Sequence, residues 1–81
     1  MFVVYAIKSR ETGRIYVGQT QDVKKRLELH NGGRVKSTSK DGSWCLVAIE
    51  KFETRDLARW CEKQLKSSRG RRIKWLDQQK I

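Results

Sequence analysis

The sequence has no proline and no long apolar run, and it holds only 2 cysteines, 1 histidine and 9 acidic residues. Each shortage closes a class of reading. No segment approaches the ~20 apolar residues that cross a bilayer, and the first residues do not resemble a secretory signal. A soluble, intracellular (cytoplasmic) protein without membrane contact is therefore expected. Cys45 and Cys61 lie far apart and outside any Cys-x-x-Cys pair, so they read as two small thiols in a reducing compartment. With His30 as the single histidine, the ligand set of a zinc knuckle cannot be assembled. The shortage of acid has the largest consequence. Against 9 acidic residues stand 19 Lys and Arg, a net charge of +10 in 81 residues, with a pI near 10.1. Phosphates hold condensed counterions that a basic face releases on binding, so nucleic acid is the expected partner. No basic amphipathic membrane helix stands out beside it.

What is present reads as one small domain over residues 1–81. At this length roughly 60–65% of the unfolded surface can be buried, which calls for a simple fold. "FVVYAIK" (2–8) is rich in β-branched and aromatic residues on both alternating sets, a buried strand. "SRETG" (9–13) is a turn and "RIYVG" (14–18) a second strand. If Lys8 pairs with Gly13 around a four-residue loop, Tyr5 lies directly opposite Tyr16, and opposed residues share a face. A loop one residue shorter or longer puts the two phenols on opposite faces. The sequence permits the pair without forcing it.

Thr20 is a good N-cap for a helix over "QDVKKRLELH" (21–30), with Asp22 in its first turn. Asn31-Gly32-Gly33 stops it. Val23 and Leu27 mark its buried side, and Arg26 and His30, at i and i+4, are neighbours along the edge of that stripe. Residues 32–43 have turn composition with Arg34, Lys36 and Lys40, a mobile loop able to reach a phosphate backbone. "WCLVAIEKF" (44–52) is a third strand. Thr54 caps a second helix, "RDLARWCEKQLKS", with Leu57, Trp60, Cys61 and Leu65 inward and Glu62 near the border of that arc beside Ala58. "SSRGRR" (67–72) breaks it, and "IKWLDQQKI" forms a short terminal helix or tail. The order β-β-α-β-α plus a short helix predicts an α+β domain, a small three-stranded, mainly antiparallel sheet flanked by helices.

"VVY" (3–5) followed by "YVG" (16–18) resembles the paired signature of the GIY-YIG nuclease superfamily, with Val3-Val4-Tyr5 standing for Gly-Ile-Tyr. The likeness continues through Arg26, ten residues after the second tyrosine, His30 four residues on, and Glu62 on the following long helix. It covers most of the chain and is strongest for small stand-alone members. The first motif lacks its glycine, Gln19 stands where a lysine often follows the second glycine, and no asparagine follows Glu62.

The resemblance implies an Mg²⁺- (or Mn²⁺-) dependent DNA endonuclease that leaves 5′-phosphate and 3′-hydroxyl ends, in DNA repair or recombination. The chemistry agrees with the residues. Cutting a phosphodiester needs an activated water, charge stabilisation at phosphorus and help for the leaving oxygen. A carboxylate-bound Mg²⁺ supplies the last two, and an arginine adds a fixed fork of donors. One carboxylate suffices, because Mg²⁺ keeps several waters and takes substrate phosphate. Tyr5 or Tyr16 is then the general base, with a lean to Tyr5. Arg26 stabilises the phosphate, His30 orients or activates a tyrosine, and Glu62 holds the metal. Gly18, Gln19, Arg34, Lys36, Lys40, Arg69, Arg71 and Arg72 are the expected DNA contacts.

Each residue also has a plain structural use. The tyrosines can be strand aromatics, Arg26 a bridge to Glu62, Glu62 a surface partner of Lys66, His30 a helix C-terminal cap and Gly18 a turn glycine. The rival function is accordingly a nucleic-acid-binding module that keeps the fold without the chemistry; an RNA binder has less support, since no RRM-like aromatic motif or Gly-x-x-Gly loop is present. A chain this short is expected to favour a DNA structure (duplex, branched or damaged) or to rely on a targeting partner protein.

Overall fold

A computed structural model describes residues 1–81. Strands β1 (Phe2–Ser9) and β2 (Ile15–Thr20), helix α1 (Val23–Asn31), strand β3 (Trp44–Phe52) and helices α2 (Arg55–Ser67) and α3 (Arg69–Gln79) follow one another along the chain. The sheet order is β2-β1-β3. Both pairings are antiparallel, so the sheet is wholly antiparallel rather than mainly so.

β1 is central, and its continuous apolar run follows from burial on both faces. Val4 and Ala6 point to one side, where Val17, Ala48, Ala58, Cys61, Leu65 and Trp75 complete the larger core. Tyr5 and Ile7 point to the other, with Trp44. Small residues at the contact (Ala6, Ala48, Ala58, each fully buried) let α2 sit close to the sheet. Leu65 adds about 1.5–3 kcal/mol of burial there. The β1–β3 register shifts between Ala6 and Ile7. The bulge inverts the alternation of β3, so that Leu46 and Ile49, three residues apart, both pack beside Tyr5 and Ile7.

The hairpin differs from the expected one. Lys8 pairs with Ile15, and Tyr5 lies opposite Gly18, with Tyr16 opposite Ile7. The Ser9 hydroxyl accepts from the amides of Glu11 and Thr12, and Gly13 takes φ +76°, closing a longer connection than four residues. The slip is two residues, and a two-residue slip leaves every side chain on its face. Both phenols therefore share a face, on the diagonal rather than directly opposed.

Asp22, not Thr20, caps α1 by accepting from Lys25 N, while the Thr20 hydroxyl holds the Asp22 amide at 3.1 Å. After Gly32, Gly33 takes φ +72° and the chain turns away. The following segment is anchored, against the expectation of a loose loop. Thr38 is fully buried and Asp41 nearly so, Trp44 Nε1 donates to Thr38 O at 3.1 Å, and Arg14 pairs with Asp41.

Thr54 caps α2 as expected, accepting from Leu57 N. The buried stripe is Ala58, Cys61 and Leu65, whereas Leu57 and Trp60 are 52% and 62% exposed and not inward. "SSRGRR" is not a break of several residues. Ser68 alone separates the helices and caps α3 by accepting from Arg71 N. Beyond α3, Lys80 bridges Ala48 and Ile81 N donates to Val47 O, covering the outer edge of β3. No helix is long and apolar enough to cross a membrane. Both cysteines are free, and burial with Glu50 and Glu62 nearby pushes the Cys61 thiol up to about 11, an unreactive state.

Candidate active site

Tyr5 comes from the central strand, Tyr16 from β2, and Arg26 and His30 from successive turns of α1. The two phenol rings stand 6.4 Å apart, and the His30 ring lies 5.0 Å from Tyr16 and 5.9 Å from Tyr5. Gly18 explains how they fit. A Cβ there would stand 2.5 Å from the Tyr5 hydroxyl and 3.0 Å from Tyr16, so the glycine is required under the Tyr5 ring, not at a turn. It is buried and offers no surface for the DNA contact expected of it.

A chain of hydrogen bonds fixes the proton on His30. The Thr38 hydroxyl donates to Val35 O, leaving its lone pairs for His30 Nδ1–H at 2.8 Å. His30 Nε2 is then an acceptor, and the Tyr5 hydroxyl donates to it at 2.8 Å. Burial first, and the nearby Arg26 charge second, hold His30 below the usual histidine range, which keeps it the neutral acceptor this chain requires. Burial also pushes the Tyr5 phenol up to about 12, with Arg26 beside it pulling down and Tyr16 and Glu62 adding to the rise. At rest Tyr5 is a protonated phenol whose proton already points at a base.

Arg26 is half-buried, and its Nε is buried with no hydrogen-bond partner in the protein. The bridge from Arg26 to Glu62 does not form. An unpartnered guanidinium N–H is costly to bury and suits an oxyanion such as phosphate, two of whose oxygens match the guanidinium fork.

Glu62 lies on the flank of α2 that overhangs β2. Its side chain is 21% exposed, and the carboxylate pairs with Lys66 at 2.8 Å. The Lys66 ammonium also stands 5.6 Å over the Tyr16 ring. Gln19, Arg59, Trp60, Glu62, Lys63 and Lys66 line a cleft of about 560 Å³. Glu62 is its only carboxylate, and nowhere do three His, Cys, Asp or Glu side chains cluster. Such a donor set fits a hard cation that keeps its waters and takes substrate oxygens, and does not fit a cage built wholly of protein.

The five candidates thus converge around the β2 edge. The expected DNA contacts divide. Gln19 lines the cleft. Arg34, Lys36 and Lys40 are exposed on the segment between α1 and β3, outside that cleft. Arg71 faces an apolar groove with Trp60 and Trp75 and reaches Gln64. Arg69 and Arg72 line a separate hollow with Ile15 and Ile73, so the three arginines do not form one patch. Sequence reasoning passed over Arg59, Lys63 and the cleft role of Lys66, all readable as α2 neighbours of Glu62 at helical spacing. It also missed Thr38, whose link to His30 no local pattern announces.

The profile of the GIY-YIG catalytic domain matches residues 1–74. The chain is similar to the structure-specific endonuclease subunit SLX1 of Homo sapiens, 38% identical over 53 residues, covering 60% of this chain and 19% of the relative. It is 32% identical over 62 residues to structure-specific endonuclease subunit slx1 of Xenopus laevis, covering 72% of this chain and 22% of the relative. It therefore spans about a fifth of the length of these curated relatives. No solved structure gives a significant match. With the profile covering nearly every element, the chain belongs to the GIY-YIG family.

Proposed function

We propose that this member of a nuclease family cuts DNA phosphodiesters by metal-assisted hydrolysis, with Tyr5 and His30 as the proton-accepting pair. The observation that carries this reading is the buried, unpartnered Arg26 Nε of a guanidinium set beside the Tyr5–His30 hydrogen bond. A scissile phosphate there takes the guanidinium as its fork of donors. The attacking water gives a proton to the Tyr5 oxygen as the Tyr5 proton passes to His30 Nε2. The water oxygen bonds to phosphorus, the P–O3′ bond breaks, and the leaving 3′ oxygen takes a proton from a solvent water, giving 5′-phosphate and 3′-hydroxyl ends. Passing the proton on spares Tyr5 from resting as an anion, which its burial opposes. Glu62 would hold Mg²⁺ or Mn²⁺, which supplies Lewis-acid stabilisation of the developing charge. The two relatives are named structure-specific endonuclease subunits, which supports a substrate recognised by structure; we take it to be DNA, in repair or recombination, with a targeting partner protein as a further proposal.

One observation favours a second reading. Lys66 already neutralises Glu62, as it would in a binding module whose chemistry has lapsed, and Gln19 offers no charge to the cleft. Nicking of supercoiled plasmid with Mg²⁺ or Mn²⁺, against an EDTA control, separates the two. Open circles that form only with the metal support the nuclease, whereas binding without nicking under either ion supports the module.

A further inference from the structure

Trp60 is the one exposed tryptophan. It is 62% accessible, against 2% for Trp44 and 7% for Trp75. Leu57, one turn before it on α2, is 52% exposed. Solvent exposure of so large an apolar surface is unusual and marks a contact site. Its surroundings identify the kind of contact. Trp60 forms a ridge between the Glu62 cleft and an apolar groove lined by Phe52, Cys61, Leu65 and Trp75. Arg55, Arg59 and Lys63 follow one another at i and i+4 beside it. All three are exposed and none is ion-paired with an acidic side chain. Like charges at this spacing repel, so the row favours a polyanion. Arg59 also connects the Glu62 cleft to a second hollow along Phe2, Gln19, Thr20 and Arg55. The result is a continuous basic trough running past an aromatic face.

Resting on the nuclease reading of the cleft, we propose that Trp60 is a stacking platform for an unpaired nucleobase next to the scissile phosphate, with Arg55, Arg59 and Lys63 tracking the strand that carries it. The preferred substrate is then DNA with an unpaired nucleotide at the cut, such as a flap, gap or branch, rather than continuous duplex. Bases in intact duplex are stacked on one another and cannot present a face to Trp60. Stacking on an aromatic side chain is tolerant of sequence, which matches recognition of shape by a small domain.

The buried positions of Trp44 and Trp75 make the intrinsic fluorescence a direct reporter. Metal-free protein in EDTA is titrated with a single-stranded oligothymidylate and with a blunt duplex of equal length. The single strand is expected to quench tryptophan emission, and Trp60→Leu to weaken its binding about tenfold or more while leaving the melting temperature and the duplex affinity unchanged. Trp60→Phe keeps a ring and should retain most of the single-strand affinity. Equal single-strand affinity of Trp60→Leu and the parent overturns the proposal, as does an equal loss for duplex. Absence of quenching by either DNA overturns it too, and assigns the Trp60–Leu57 ridge to a protein partner. Because the titration involves no cutting, quenching without plasmid nicking removes the nuclease reading and leaves the stacking contact. Nicking with no effect of Trp60→Leu does the reverse.

Discussion

Tyr5 is held from three sides, by His30 at its hydroxyl, by Gly18 beneath its ring and by Tyr16 alongside. Gly18→Ala tests the second contact. Its Cβ would meet the Tyr5 hydroxyl at 2.5 Å, so the ring must move. A loss of about 1–3 kcal/mol in chemical denaturation is expected, with cleavage falling further than stability explains. His30 gives a prediction with pH. Its folded pKa lies below the ordinary 6.5, so the unfolded chain binds the proton first as acid is added. The stability linked to neutral His30 is complete above pH about 6.5 and is lost as pH falls from there through the lower folded value. Melting temperature measured from pH 7 to 5 should drop for the parent and drop less for His30→Asn. At this scale the sequence permitted the tyrosine pair without forcing it, and the shared face survives the observed two-residue slip because parity is kept. It could not reveal Thr38, which meets His30 only through the tertiary path of residues 32–43.

α2 carries Glu62, the one carboxylate of the cleft, and its seating depends on Ala58 in the core shared with Ala48 and Val17. Ala58→Leu should over-pack that contact, costing about 1–3 kcal/mol. By pushing Glu62 away from Tyr16 and Arg26 it should also lower cleavage in protein that remains folded by circular dichroism. The bounds of β3 and the Thr54 cap of α2 were legible because β-branched runs and capping residues act locally. The inward face of α2 was only partly so. Hydrophobicity nominated Leu57 and Trp60, but the helix lies so close to the sheet that alanine and cysteine fill the contact, and the larger residues remain outside. Hydrophobicity alone does not report how close two elements pack. Ser68 likewise shows a serine ending one helix and capping the next, where composition suggested a longer break.

Across the whole molecule, the strand and helix order implied the α+β sheet, and the charge of +10 implied a polyanionic partner, since both are properties of the complete chain. Where that charge gathers follows from α2, on which Arg55, Arg59 and Lys63 recur at helical spacing, whereas composition alone nominated the cations of residues 34–40 and 69–72, which the fold leaves outside the cleft. Arg59→Ala and Lys63→Ala should each shallow the log–log salt slope of DNA binding by about 0.9 per lost phosphate contact, while Arg34→Ala, outside the cleft, changes it little. Fluorescence anisotropy across a salt series checks this. Glu62 is proposed to serve catalysis rather than structure, and plasmid nicking by Glu62→Gln beside the parent, with DNA affinity and melting temperature measured on both, tests that role most directly. Loss of the Lys66 pair should cost only about 0.3–0.5 kcal/mol, so the variant is expected to fold and to bind metal-free DNA as well as the parent or slightly better. Its nicking rate should fall by ~100-fold or more, since the anion acts chiefly on the transition state. Nicking at the parent's rate by a folded Glu62→Gln protein would contradict a catalytic role for Glu62.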